Sequence, residues 1–429
     1  MSEWREMRLG ALVDAAGGHI KTGPFGSQLH SHEYTTDPGG IAVVMPRDMV
    51  RGRVDRRSVS RVDRETAERL KAHRLAAGDV VLARRGDVGR SAFVEEDEAG
   101  WLCGTGSMRV HAPDHEVIVP RFLRYAFDEP RVAEWLIGQS VGSTMPNLNA
   151  KIVSDLPLRV PDPTTQRRIA AVLSAFDELI EINERRIELL EDLARSLYRE
   201  WFVRFRFPGH RDADFAESGI GPIPEDWEVC SLGDIAAVQR RTVTPAREDG
   251  IEFEHFSIPA FDSSGLPRFE LGAAIRSHKQ MVDRQCVLLS KINPRIERIW
   301  FAEPSTDRAV ASTEFLAFTG SGVSNAWLWA TFTSEGFQRW LRGVAGGTST
   351  SHQRVKPGDV MAHAVPLANR ELLDLFDGFS APALREVTAL RQSNRALTAT
   401  RDLLLPRLVT GRLDISDIDL GELLPSEAA

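Results

Sequence analysis

Three short cationic runs carry the most suggestive side-chain chemistry in this 429-residue chain. Arg84 and Arg85 stand in LARRGD, Arg240 and Arg241 in VQRRT, and Lys291, Arg295 and Arg298 in SKINPRIER. The first pair follows a predicted strand and meets Gly86, so it falls at a tight turn where side chains project. Guanidinium and ammonium groups placed this way suit phosphate oxygens, and a guanidinium can also bridge two acceptors on a guanine edge. A denser run lies upstream: Arg47, Arg51, Arg53, Arg56, Arg57, Arg61, Arg64, Arg69, Lys71 and Arg74. Small polar loops supply complementary chemistry. Ser27 in GPFGS, and Ser143, Thr144, Asn147 and Asn149 in VGSTMPNLN with Lys151 beyond, offer hydroxyl, amide and ammonium groups to bases or backbone. Ser349, Thr350, His352, Gln353, Arg354 and Lys356 are their counterparts late in the chain. Each cation has a plainer reading as surface solvation, and each polar loop has one as a structural turn before a helix. His352 reads equally well as a satisfied loop histidine.

Overall charge does not decide between these readings. Net charge is −8, yet residues 1–160 are neutral overall and contain the dense basic run. Lysines are confined to Lys21, Lys71, Lys151, Lys279, Lys291 and Lys356, so arginine supplies almost all positive charge. GC-rich coding gives the same excess. Hydrophobic content of 42% and charged content of 27% describe a soluble globular protein with room for two or three domains. No apolar run approaches the roughly 18 residues needed to span a bilayer, and Met1–Gly10 lacks a signal-peptide pattern. The expected location is the cytoplasm. Cys103, Cys230 and Cys286 are isolated, which supports neither a disulfide framework nor a zinc cluster.

Enzyme motifs are missing. There is no Gly-Lys pair for a Walker A loop, no HExxH and no CxxC. Asn293-Pro294-Arg295 comes nearest to the Asn/Asp-Pro-Pro-Tyr/Phe stretch of an amino-methyltransferase, but lacks the second proline and the aromatic. Cys103-Gly104-Thr105-Gly106-Ser107 is too short for a nucleotide loop and reads as a turn. The expectation is a binding protein with no catalytic residue, metal or cofactor of its own.

The elements that must position these loops are dominated by one stretch, Thr164 to about Phe207. Ile169, Leu173, Phe176, Ile180, Asn183, Ile187, Leu190, Ala194, Leu197 and Trp201 recur in steps of four and three, the spacing of a coiled-coil seam. Charged residues cover the other faces, so a partner helix must bury the stripe. Pro161-Asp162-Pro163 ends the preceding domain, and Thr164 or Thr165 can cap the helix. A second region, about 368–408, repeats the pattern through Phe376, Val387, Leu390, Asn394, Leu397, Leu404 and Leu408. Pro382 is expected to break or kink it, leaving a short helix and then a long one.

The chain also repeats itself. WEVCSLGDIA at 227–236 aligns with WREMRLGALV at 4–13, a shift of 223 that keeps the Trp and the Leu-Gly pair. WLRGVAGGTSTSHQRVK at 340–356 aligns with WLIGQSVGSTMPNLNAK at 135–151, a shift of 205 that ends on a shared lysine. Each copy then passes through a short apolar segment with proline into a helix, which points to a duplication. The predicted fold is α+β: two similar mixed α/β globules separated by two long helices forming an antiparallel coiled coil. The boundaries are a first globule at 1–162, a helix at 163–207, a connection at 208–226, a second globule at 227–367, a helix at 368–411 and an acidic tail at 412–429. The seam is expected to run through Ile180, Asn183, Ile187, Leu190 and Leu197 against Val387, Leu390, Asn394, Leu397 and Leu404.

GPIPEDWEVCSLGDI at 221–235, TQRRIAAVLSAFDELI at 165–180 and RDLLLPRLVTGRLDIS at 401–416 together resemble the DNA-specificity subunit of type I restriction-modification systems. The loops GPFGS and GSTMPNLN are of the same type, and the resemblance spans essentially the whole chain. It implies two target-recognition domains, each reading half of a split site in double-stranded DNA, and helices that recruit two methyltransferase subunits. S-adenosylmethionine, ATP and Mg would then belong to those subunits and to nuclease/translocase subunits. Pro382, and a first domain lacking the GPIPEDW lead-in, depart from the pattern. The competing reading is a coiled-coil scaffold whose globules bind protein and read no DNA.

Overall fold

The apolar stripe after Pro161 folds as one α-helix, Pro163–Tyr198, extended by a π turn over Arg199–Val203. Its cap is Asp162, not Thr164 or Thr165. The Asp162 carboxylate accepts from the Thr165 N–H at 3.0 Å and from the Thr165 hydroxyl at 2.8 Å, while Pro163 occupies a first-turn position that needs no N–H. The second helix, Arg370–Leu408, runs without the break expected at Pro382. Pro382 and the residue four back, Gly378, are both exposed, and open space surrounds Gly378. The carbonyl that loses its donor therefore lies on a wet face, while Ser380, Ala383, Leu384 and Val387 stay buried and hold the helix.

The computed structural model describes residues 4–140, 147–346 and 353–415. They fall into two units: Met1–Leu179 with Leu397–Ala429, and Ile180–Ala396. In the first unit, strand Arg5–Arg8 pairs antiparallel with Pro157–Val160, closing the globule just ahead of the long helix. A four-stranded antiparallel sheet follows in the order His19–Thr22, Ser107–His111, Val80–Ala83, Ser91–Phe93. Helices Pro120–Phe127, Pro130–Gln139 and Ala150–Ser154 accompany it. Leu9, Leu12, Val80, Leu82, Met108, Phe122, Phe127 and Leu136 build a core that takes in Ile169 and Leu173 of the first long helix and Leu405 and Leu408 of the second. Arg401 and Asp177 join these two helix segments by an ion pair at 2.5 Å.

The second unit repeats this frame. Glu228–Ser231 pairs with Ala364–Leu367, and a four-stranded antiparallel sheet runs Ala236–Val238, Phe315–Gly320, Cys286–Ser290, Ile299–Ala302. Helices Asn325–Thr333, Glu335–Val344 and Pro357–Met361 take the matching places. Phe202, Phe205 and Phe207, at the end of the long helix, surround the Trp227 ring at 5.4 to 5.7 Å between centroids. Within this unit the helices run antiparallel. Asn183 donates to Asn394 at 2.8 Å, Arg391 meets Glu191 at 2.7 Å, and Arg186 meets Glu386. Ile180, Val387 and Leu390 are buried, and Ile187, Leu190 and Leu197 half-buried; in the first unit Leu397 and Leu404 are half-buried as well.

Two details depart from the sequence alignment. The short helix after the second polar loop begins at Pro357, against Ala150 in the first copy, so the shift there is 207 and Lys356 matches Asn149 rather than Lys151. The remaining sheets also differ. The first unit adds four strands in the order Leu102–Cys103, Ile41–Val44, Ser60–Val62, Tyr34–Thr35. The second adds five: Thr242–Val243, Lys279–Met281, Ala309–Ser312, Glu252–Phe256, Arg268–Leu271.

Candidate nucleic-acid interface

In the first unit, several loops converge at one end of the shared sheet. The Gly23 N–H donates to the Ser107 carbonyl, the Gly104 N–H to Val44, the Arg84 N–H to Gly106 and the Leu148 N–H to Arg84, all at 2.9 Å. Gly23 must be glycine, because a Cβ there would sit 2.1 Å from the Gly104 carbonyl oxygen. Arg85 and Asn147 form a single β-bridge. The backbone thereby gathers loops carrying Ser27, Arg47, Arg84, Arg85 and Asn147. Ser27, Arg47 and Arg85 are exposed, and Arg47 donates to the Ser60 hydroxyl at 2.6 Å.

Arg84 differs from its neighbour. It is 4% exposed, and its guanidinium lies 5.4 Å from the Phe25 ring. Its Nε and one terminal nitrogen are buried without a hydrogen-bond partner, as are Thr105 Oγ1 and Asn147 Oδ1. Burial, then the charge of Arg85, push its pKa down. A guanidinium nonetheless keeps its proton in proteins, so a positive charge stays buried with two of its own nitrogens unmet.

Other predicted contacts have structural duties. Asn149 caps helix Ala150–Ser154, accepting from the Ile152 N–H at 2.9 Å, so its carbonyl oxygen is committed; Lys151 in the same turn is exposed. Arg51 and Arg53 flank Gly52 in a hairpin packed on Ala92 and the Arg124 guanidinium. Much of the dense basic run is neutralised locally. Arg56 pairs with Asp97 at 2.5 Å and Glu98 at 3.0 Å, Arg74 with Glu68 at 2.9 Å, and Arg69 with Glu33. A charge already met by a carboxylate is a weak phosphate clamp.

In the second unit, Lys291 stands where Arg84 stands in the first. It ends the equivalent strand, and its carbonyl accepts from the Val355 N–H at 2.9 Å just as Arg84 accepts from Leu148. Ile292 and Arg354 form the matching β-bridge. The Lys291 N–H donates to Glu314, the position matching Gly106, and the Glu314 carboxylate holds Arg354 at 2.9 Å. Arg298 makes a two-pronged pair with Asp262 at 2.7 and 2.8 Å and is a structural residue. Arg240, Arg241, Arg295 and Lys356 are exposed; Arg240 and Arg241 join the two sheets, where the Arg241 carbonyl accepts from Met281 at 2.8 Å. Ser143, Thr144, Ser349, Thr350 and His352 lie outside the described residues.

Phe25, Thr105 and Glu314 complete these clusters without having been singled out in the sequence, although the composition of GPFGS and of CGTGS marks the first two as loop residues. A further apolar set on the long helices also went unread. Ile182, Leu189, Leu193, Leu375 and Phe379 are 43–61% exposed. Among the described residues no three His, Cys, Asp or Glu side chains gather as a metal site, and no helix is long and apolar enough to cross a membrane.

A family model described as "Type I restriction modification DNA specificity domain" matches residues 1–192. The type I restriction enzyme MjaIX specificity subunit of Methanocaldococcus jannaschii is 25% identical over 398 residues, covering 89% of this chain and 88% of that protein. The HindI specificity subunit of Haemophilus influenzae is 25% identical over 408 residues, covering 79% and 87%. The crystal structure of a type I restriction-modification S subunit from M. genitalium shares the fold, with a TM-score of 0.62, 13% identity and coverage of 95% of this chain and 96% of that one. A specificity-domain model over residues 1–192, relatives similar over most of the chain and a twice-built loop-bearing frame agree: this chain is similar to the DNA-specificity subunits of type I restriction-modification systems.

Proposed function

We propose that each unit reads one half of a bipartite site in double-stranded DNA, and that the long helices recruit two methyltransferase subunits. The observation that carries the reading is a single loop-bearing frame built twice, each copy bearing a different outer sheet. One chain thus holds two readers of common ancestry and separate specificity. The exposed apolar residues of the helices favour protein partners, because singly scattered leucines need no explanation but a repeated helical set does. Nuclease/translocase subunits complete the assembly. S-adenosylmethionine, ATP and Mg serve chemistry in those partners, so this chain contributes selection without catalysis, in the cytoplasm where the DNA lies.

A salt series on the assembled methyltransferase tests the DNA assignment. Affinity for duplex DNA is expected to fall linearly in log–log form as salt rises, through release of counterions from the phosphates. A flat response, or no DNA retention with the methyltransferase subunits present, would leave the protein-binding scaffold as the function.

A further inference from the structure

Two readers that recognise different half-sites still face one common object, the sugar-phosphate backbone. Whatever is spatially equivalent in both is therefore suited to the backbone, and whatever differs is suited to the bases. Few charged positions are equivalent, because the outer sheets have diverged. Arg84 and Lys291 are such a pair. Both are cations, both end the equivalent strand, and both carbonyls are clamped by the residue two before the short helix: Leu148 in one copy, Val355 in the other.

We infer that Arg84 and Lys291 are matched phosphate-binding positions, one in each reader, that hold the DNA backbone in register while other residues read the bases. The inference rests on the DNA-reading function proposed above. Arg84 argues for it most strongly, because a buried guanidinium with two unpartnered nitrogens is costly unless a ligand supplies the counter-charge. The Phe25 ring, itself 53% exposed, lies 5.4 Å from the guanidinium, which places the charge next to a solvent-facing loop. Arg85 beside it adds to the positive charge that an anionic ligand would meet. Glu314, which accepts from the Lys291 N–H through its carbonyl, has its carboxylate paired with Arg354 at 2.9 Å. A lysine and an arginine both attract a phosphate, whereas only the arginine presents a rigid planar fork to a base edge. Replacement of one by the other between copies fits a backbone contact better than a base contact.

The test uses the assembled methyltransferase with Arg84→Ala, Arg84→Lys, Lys291→Ala and Lys291→Arg. Each alanine variant is expected to weaken cognate and non-cognate duplexes by the same factor. Each should also reduce the slope of log affinity against log salt by about 0.9, the share of one phosphate, and leave the methylated motif unchanged. The cation exchanges should restore most of the slope. Loss of discrimination with an unchanged slope would make these residues base readers and overturn the inference, as would unchanged affinity and slope. Should Arg84→Ala fail to fold, Lys291→Ala, in the less buried copy, carries the same readout. A wild-type complex without salt-dependent DNA binding would instead overturn the DNA-reading function itself.

Discussion

Arg84 and Arg298 carry the same charge, yet the fold gives them opposite surroundings: two nitrogens of Arg84 are buried without a partner, whereas Arg298 is paired with a carboxylate. Arg298 is a side chain 9% exposed whose two nitrogens meet both oxygens of Asp262. Truncating it removes two charge-assisted hydrogen bonds and leaves the Asp262 carboxylate without its partner. Arg298→Ala is expected to cost about 2 kcal/mol of stability, read as a lower melting temperature of the purified chain, with no change in the methylated motif. A changed motif at unchanged stability would return Arg298 to the reading surface. This distinction could not be read from sequence, since Asp262 lies 36 positions away and only the fold brings helix Ile258–Ser264 to the start of strand Ile299–Ala302. Asn149 was similarly opaque. Polar residues before a short helix serve as caps or contacts with the same composition, and only the 2.9 Å bond to Ile152 decides for the cap.

The long helices were the most legible elements, because a four-three spacing sustained over many turns has few structural solutions. Their ends were less so. Asp162 outcompeted two threonines as cap because it lies directly ahead of a proline that fits the first turn, which puts both threonines inside the helix. Pro382 was overweighted: its penalty falls on an exposed face while a buried flank secures the helix. The amide gap in the stripe was real and has a partner. Asn183 donates to Asn394, which in turn donates to the Ile180 carbonyl at 3.2 Å. Asn183→Leu and Asn394→Leu should each destabilise by about 1 kcal/mol, since each strands one amide in a half-buried seam. The double variant should recover most of that loss and loosen the register of the helices. Melting temperatures of the three variants measure the coupling. A double variant as destabilised as the two singles combined would mean the amides do not act as a pair.

For the molecule as a whole, the duplication was legible from two short alignments because its shared parts are the parts that fold. The Leu-Gly segment opens each frame, and the Trp-Leu helix packs it. The outer sheets left no trace of kinship in the sequence, as expected where selection has favoured different contacts. This division predicts that residues 1–160 are exchangeable. The joint to the long helix is made by Gln166, 1% exposed, which accepts from the Val119 N–H at 2.8 Å and donates to the Pro161 carbonyl at 2.9 Å. Both contacts are to backbone, so a foreign domain joined at Pro161 can make them whatever its side chains. It must still present apolar residues where Leu158 and Val160 meet the core that includes Ile169, Leu173, Leu405 and Leu408. A chimera carrying residues 1–160 of a relative that meets this condition is expected to assemble with the same methyltransferase subunits, since most of both long helices is unchanged. Its methylated motif, read by single-molecule sequencing, should change in one half and keep the other. A change in both halves would mean that the two units do not read independently, and an unchanged motif would remove base reading from the first unit altogether.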